Sequence, residues 1–332
     1  MNAVPVAELW RGGRLESAHL GHAVIVDGAG QVVQAWGDPG LTIYPRSACK
    51  MIQALPLVES GAADRAGLTS SQLALSCASH QGAALHRQAV GNWLEGLGLG
   101  ESDLRCGAHE PYDLAERNRL IKTDESPCQY HNNCSGKHAG FVTLNQHLGG
   151  GSEYVEPDHP VQKAVREAFE DVTGEVSPGF GIDGCSAPNF ATSLVGLARS
   201  MAYFAKARED GPSAREKAAY RLTRAMAAHP MMVAGEGRAC TELMQAMAGK
   251  VSIKTGAEGV FTAILPEQGL GIALKVVDGA SRASEAAIAG LLVKLGVLEA
   301  GHPAAQKRLN AVQRNCRGIE AAFVRPAADF PG

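Results

Sequence analysis

The chain has 332 residues, of which 45% are hydrophobic, 20% charged and only 5% aromatic, with 39 glycines. This length suits a large single-domain enzyme or two closely packed lobes, and the composition excludes a disordered or fibrous chain. A formal net charge of -3 without any run of Lys or Arg excludes the electrostatic footprint of a nucleic-acid binder and points to small-molecule partners.

The opening MNAVPVAELWRGGRLES lacks a basic segment followed by an apolar stretch, and no run approaches the length that spans a bilayer. The expectation is a soluble cytoplasmic protein with no membrane partner. Eight cysteines are scattered without framework spacing, which favours reduced thiols over disulfides.

Residues 22–37, HAVIVDGAGQVVQAWG, alternate apolar and polar around Asp-Gly-Ala-Gly and predict a β-hairpin. YPRSACKMIQALPLVESG, residues 44–61, places Ser47 three before Lys50 at the start of a helical apolar pattern that Pro56 should bend or end. Helices are expected over 84–97, 136–148, 160–173, 189–207, 213–228 and 238–248. Pro160 and Pro188 are expected in first helical turns, and Ser213 as a cap. GVFTAIL and LGIALKVV flank a Pro-Glu-Gln-Gly turn and predict a second hairpin, SRASEAAIAGLLVKLGVL a closing helix, and RPAADFPG a loose end. The expected architecture is mixed α/β, with an antiparallel sheet formed by N- and C-terminal segments, flanking helices and a helical lobe. A single domain over 1–332 would divide into a sheet lobe, 1–60 with 250–332, and a mainly helical lobe, 61–249.

Residues three apart share a helix face, so Ser47 Oγ and Lys50 Nζ can meet. A serine hydroxyl attacks only once a base takes its proton, and a lysine serves as base when burial or a second cation lowers its pKa. SxxK alone is commonplace, and two polar residues on a helix surface are its bland meaning. Lys254 in SIKTG changes the balance, because a strand-borne KTG facing an SxxK helix is the arrangement of penicillin-recognising serine enzymes. The middle SxN box of that group is not evident.

SCASHQG, residues 76–82, ends an apolar segment at a glycine, which would leave Ser79 and His80 at the rim of a cleft; the alternative is a helix cap and a solvated loop histidine. In QYHNNCSGKHAGFVTL, Cys134, Lys137 and His138 fall within five residues. Cys134 and His138, four apart at a helix start, could bind zinc with Cys185 of GIDGCSAPNF, where Asp183 stands close by; the alternative is two buried apolar cysteines. Cys49, Cys77, Cys106, Cys128 and Cys316 read as structural.

YPRSACKMIQALPLVESGAAD, CASHQG, HNNCSGKHAG, GIDGCSAPNF and SIKTGAEGVF, in this order, resemble the class 3, Rhizobium-type L-asparaginases, the asparaginase II family, over nearly the whole chain. The resemblance implies a fold like that of serine β-lactamases and glutaminases, and hydrolysis of L-asparagine by two Ser-Lys pairs, Ser47 with Lys50 and Ser79 with Lys254. It implies one zinc ion held by Cys134, Lys137 and Cys185, with Asp183 and His138 nearby, and it places Cys240 near the nucleophile. Lysine replaces histidine in the ligand set read from spacing; because an ammonium has no lone pair, zinc affinity should then rise with pH. Arg46, His80, His138, Asp183, Cys240 and Gly256 are expected to line the substrate, amides at Ser47 and around Gly256 to hold the oxyanion, and the chain to form a homodimer. A glutaminase or another serine amidohydrolase or acyltransferase would keep the serines and change the pocket. A non-catalytic zinc-dependent binding protein would dispense with them.

Overall fold

Residues 22–37 form the expected hairpin in the computed structural model, which describes residues 2–332. Asp27 turns the chain: its amide donates to Gln31 O at 2.9 Å, its carbonyl accepts from Gly30 N at 2.9 Å, and its Oδ1 accepts from the amides of Ala29 and Gln31. Gly30 takes φ +82°, a conformation open to glycine at little steric cost.

The chain divides into two compact units, and the first comprises residues up to Ala48, Thr192–Lys206 and Glu242–Gly332. Its sheet has eight strands among the described residues, all paired antiparallel. The order is Ala311–Arg314, Glu320–Pro326, Val4–Arg11, Arg14–Asp27, Leu270–Val276, Val260–Leu265 and Ser252–Thr255. Val32–Trp36 pairs with the second half of Arg14–Asp27, on the side that Val4–Arg11 takes along the first half. All six residues of Val260–Leu265 are buried, and because successive side chains alternate, both faces of that strand are covered. Helices Leu194–Lys206 and Ser281–Lys294 pack on the sheet. Gly271 permits the first of these approaches, since a Cβ there would sit 2.6 Å from the Met201 carbonyl carbon.

The second unit, Cys49–Ala191 with Ala207–Thr241, is helical apart from the hairpin Phe180–Ile182/Pro188–Phe190. Every residue from Ser135 to Leu144 is buried, so the helix Ser135–Leu148 lies inside its unit rather than on its surface. It packs against Ser70–Ser76, Ala84–Gly96 and Pro160–Thr173. Ser213 makes the expected cap, its Oγ accepting from Glu216 N, and Pro160 stands in the first turn as expected, behind an unforeseen cap in which His159 Nδ1 accepts from Val161 N.

Four local expectations are corrected. Ser47 and Lys50 do not share one α-helix: Arg46–Cys49 is a 3₁₀ turn and the α-helix Lys50–Gln53 starts at the lysine, with a break at Ala54 before Leu55–Glu59. Pro188 opens a strand, not a helix. Pro188–Phe190 pairs with Phe180–Ile182, Thr192–Ser193 pairs with Thr42–Ile43, and the helix starts at Leu194, where Ser193 Oγ accepts from Gly196 N. The helix from Ser281 ends at Lys294, and a further helix, Pro303–Leu309, and two strands follow it. RPAADFPG is not loose: Pro326 is registered with Ala7, Ala327 N donates to Val6 O at 3.2 Å, and Phe330 is buried edge-on against Trp36. No helix among the described residues is long and apolar enough to cross a membrane.

Candidate active site

In the first unit, Ser47 sits half-buried on the turn that begins at Arg46. Arg46 has φ +52°, a left-handed conformation that costs a non-glycine residue about 1–3 kcal/mol and persists only when surrounding contacts impose it. The Ser47 turn is packed against the strand carrying Lys254 and its neighbour Val260–Leu265. Thr262, registered opposite Lys254, donates from Oγ1 to Ala48 O at 3.1 Å and to Lys254 O at 3.3 Å. Gly256 lies so close to the turn that a Cβ would meet Pro45 O at 2.7 Å and Ala48 N at 3.0 Å. The SIKTG strand and the Ser47 turn are thus packed together. Lys254 is 1% exposed, and its Nζ donates to Thr255 O at 2.8 Å. The Gly256 amide donates to Val260 O at 2.8 Å, so an oxyanion donor in this turn has to be a neighbouring amide.

In the second unit, Lys50 is 1% exposed and its Nζ faces three acceptors: Ala78 O at 2.5 Å, Ser79 Oγ at 3.0 Å and Cys134 Sγ at 3.1 Å. Ser79 is held by its own backbone, with Ser79 N donating to Val233 O, His80 N to Asn133 O and Gln81 N to Ala234 O at 2.9–3.2 Å. His80 is fully buried rather than a solvated rim residue. Its Nδ1 accepts from Gly82 N, which leaves the proton on Nε2 to face Ser135 Oγ at 2.9 Å, and Ser135 Oγ donates to Tyr130 O. Burial first, then His86 and Lys50, hold its pKa well below the usual value, so the ring is neutral and locks the Ser79 segment to the loop before Cys134.

Cys134, Lys137 and Cys185 are all buried. Cys134 stands immediately before the helix Ser135–Leu148, which sets Lys137 and His138 one turn on. Cys185 is held by a tight turn in which Ser186 N donates to Asp183 O and Asp183 N to Ala187 O. Lys137 Nζ lies 3.1 Å from Cys185 Sγ. The Cys185 thiol is well below its ordinary pKa, chiefly through a hydrogen bond with Cys134 and then the Lys137 charge, while Cys134 moves upward as the other half of that pair. Burial opposes a charge on Lys137, but the two sulfurs outweigh it and raise its pKa.

These residues fit a zinc ion by donor chemistry: two soft sulfurs and an amine converge in a buried place. Among the described residues no three His, Cys, Asp or Glu side chains converge on one point, so the set is complete only if Lys137 supplies the nitrogen. His138, the ligand suggested by spacing, bonds through Nδ1 to Tyr154 OH at 2.9 Å and also stands beside Cys185, whose hydrogen bond to the ring works against the lowering of its pKa by burial. Asp183 is half-buried, accepting from Gly184 N and Asn189 Nδ2, and Cys240 is buried in the helix Ala239–Ala246. Sequence reading did not find Cys134 as a partner of Lys50, Ala78 O as its acceptor, or Thr262 as the tie between the Ser47 turn and the KTG strand.

Several solved structures are similar. A putative β-lactamase from Bacteroides dorei shares 13% identity over 77% of this chain and 84% of its own, with a TM-score of 0.43. A β-lactamase from Mycobacterium bovis shares 11% over 84% of this chain and 95% of its own, at 0.47. Mglu in its native form shares 13% over 89% of this chain and 66% of its own, at 0.47. None of the curated proteins matches the chain. The family model described as L-asparaginase II matches residues 7–326 and thereby takes in both serines, both lysines and the cysteine–lysine group. The chain belongs to the L-asparaginase II family.

Proposed function

We propose that this protein hydrolyses L-asparagine to L-aspartate and ammonia by serine–lysine catalysis. Family membership supports an amidohydrolase with a small-molecule substrate. The observation that supports serine–lysine chemistry is the buried Lys50 Nζ at 3.0 Å from Ser79 Oγ, an amine within proton-transfer reach of a hydroxyl, while the nucleophilic role of Ser47 rests on the family resemblance. In this reading Ser47 attacks the side-chain amide carbon and Lys50 is the base. Ser79, held against Lys50, and Lys254 pass the proton to the leaving nitrogen. The C–N bond breaks, ammonia departs, and water cleaves the serine ester with the same groups returning the proton. Cys134, Lys137 and Cys185 would hold a zinc ion, whose positive charge would orient the α-amino or α-carboxylate group of the substrate. His80 holds the Ser79 segment, while Arg46, His138, Asp183, Cys240 and Gly256 are the substrate-side residues of the proposal.

Ammonia release from asparagine and from glutamine, by wild type and by Ser47→Ala, Ser79→Ala and Lys50→Met, tests it. Wild type should favour asparagine, and Ser47→Ala and Lys50→Met should lose on the order of 10³-fold or more in kcat. Retained turnover in Ser47→Ala removes the nucleophile assignment, and equal use of glutamine moves the reading to a glutaminase. A homodimer in a reducing cytoplasm completes the proposal. Eight free cysteines support the reducing compartment, and sedimentation of the purified protein tests the dimer.

A further inference from the structure

Outside the residues assigned so far, the second unit holds a thiol, an imidazole and a carboxylate in one hydrogen-bonded line. Cys128 Sγ lies 3.3 Å from His131 Nδ1, and His131 Nε2 lies 3.2 Å from Glu116 Oε1. His131 and Glu116 are each 3% exposed, whereas Cys128 is half-exposed and open to a reagent. The spacing is built into the 3₁₀ turn Gln129–His131, in which His131 N donates to Cys128 O and Cys128 N to His131 Nδ1, each at 3.0 Å. Glu116, on the helix Leu114–Thr123, is anchored by Arg119 through Nε at 3.1 Å and Nη2 at 2.9 Å, with Arg87 at 3.4 Å. The carboxylate is thereby fixed as an anion behind the imidazole.

We propose that Cys128 is a reactive thiolate that takes small electrophilic disulfides, with His131 as its proton partner and Glu116 as the group that holds the ring. The sulfur of Cys128 attacks one sulfur of the disulfide and forms a new S–S bond as the old one breaks. The leaving thiolate takes the proton carried by His131 and departs as a thiol. Cys128 is oxidised to a mixed disulfide and half of the reagent is reduced, so no further oxidant is needed. The surroundings agree. Burial works to raise the Cys128 thiol, but hydrogen bonds from His131 and the Tyr130 amide outweigh it and hold the thiol below its usual pKa, against a smaller opposing effect of Glu101. His131 moves upward, chiefly through Cys128 and despite burial, with Glu116 adding to the shift. Opposite shifts on adjacent groups are those of a thiolate–imidazolium pair, in which Nδ1 donates to Cys128 Sγ and the bond from the Cys128 amide, which needs a lone pair on Nδ1, is given up. Cys49 and Cys106, by contrast, are buried and pushed up to about 12. The proposal is independent of the asparagine chemistry.

The test is modification of the full-length native protein by hydroxyethyl disulfide, followed by acid quenching and peptide mapping, with the exposed Cys316 as a reference thiol in the same molecule. At about pH 6.5 the Cys128 adduct should form at least about threefold faster than that at Cys316, because thiolate population outruns the loss of intrinsic nucleophilicity. Its rate should also level off at a lower pH. His131→Gln and Glu116→Gln should each remove the lead while leaving the Cys316 rate unchanged. Faster modification of Cys316 over the whole pH range, or an undiminished lead in Glu116→Gln, overturns the proposal. If His131→Gln does not fold by circular dichroism, the wild-type pH curve and Glu116→Gln decide it.

Discussion

Replacing Gly136 by alanine sets helix propensity against packing, and the structure decides the sign. Propensity alone favours alanine in a helix by about 1 kcal/mol. A Cβ on Gly136, however, would run into Leu75 O and stand 2.7 Å from Leu75 Cγ and 2.9 Å from Leu75 Cδ1. The leucine side chain can rotate, but its carbonyl cannot move freely, because it accepts from Ala78 N at 3.1 Å. Either the turn 75–78 shifts or the helix Ser135–Leu148 moves off Ser70–Ser76. Overpacking of this kind costs about 1–3 kcal/mol, and straining the Leu75–Ala78 hydrogen bond adds about 1 kcal/mol. The net expectation is destabilisation by about 1–3 kcal/mol, read as a lower urea midpoint with an unchanged m-value. Ala78 O is also an acceptor for Lys50 Nζ, so the same movement should lower turnover beyond what the loss of folded protein explains. An unchanged or raised midpoint would refute the reasoning, since it would mean that the turn yields freely and propensity wins.

Zinc at about 100 times its dissociation constant should raise stability by about 2.7 kcal/mol, and Lys137→Met or Cys185→Ser should abolish the rise; a melting temperature indifferent to zinc in wild type would refute the ligand set. His80 and His86 have folded-state pKa values held below the unfolded 6.5, chiefly by burial, so the unfolded chain binds more protons below that pH and stability falls as the solution is acidified. Between about pH 6.5 and about pH 5.5 His80 alone should account for about 1 kcal/mol of lost stability. His131, shifted upward, stabilises fully only below its unfolded pKa, so it gains over the same interval and offsets part of this. Equal urea midpoints at the two pH values would refute the assignment. Arg215 donates to both Glu59 oxygens at 2.8 and 2.9 Å and to Asp171 Oδ2 at 2.8 Å, with Arg215 and Glu59 19% and 16% exposed. Arg215→Met should cost about 2 kcal/mol, with partial recovery in the double variant with Glu59→Gln, whereas a loss below about 0.5 kcal/mol would mark a solvent-screened pair.

Features decided by neighbouring residues were legible in the sequence. The Asp27 turn, Pro160 in a first helical turn, the Ser213 cap and the helix break before Pro56 rest on chemistry within a few positions. Features decided by distant pairing were not. Asn189–Ser193 reads as helix by its apolar spacing, yet Phe180–Ile182 and Thr42–Ile43 claim it as strand. Pro and Gly make RPAADFPG look loose, while Val4–Arg11 orders its beginning. In the candidate site, spacing nominates His138 as a ligand and the family resemblance Lys137; both stand beside Cys185, Lys137 with its Nζ 3.1 Å from Sγ and His138 through a hydrogen bond to the thiol. Ser47 with Lys50 read as a helical pair because nothing in YPRSACK announces that Arg46 takes a positive φ. Cys128 reads as structural because nothing in the sequence announces the 3₁₀ turn that brings His131 to it, and Glu116 lies on another helix.

The strand Val4–Arg11 lies between Arg14–Asp27 and Glu320–Pro326, and this bears on how the chain reaches its native state. The first hairpin can form as soon as it is synthesised, but its outer neighbour arrives roughly 300 residues later, which makes the closing step entropically costly and slow. Until then Val4–Arg11 presents an unpaired edge, a template for strands of other chains. The second unit, nearly continuous in sequence, can fold while that edge waits. Premature termination before Glu320 should therefore leave a folded helical unit and an aggregation-prone sheet in one chain, a vulnerability that follows from strand order alone.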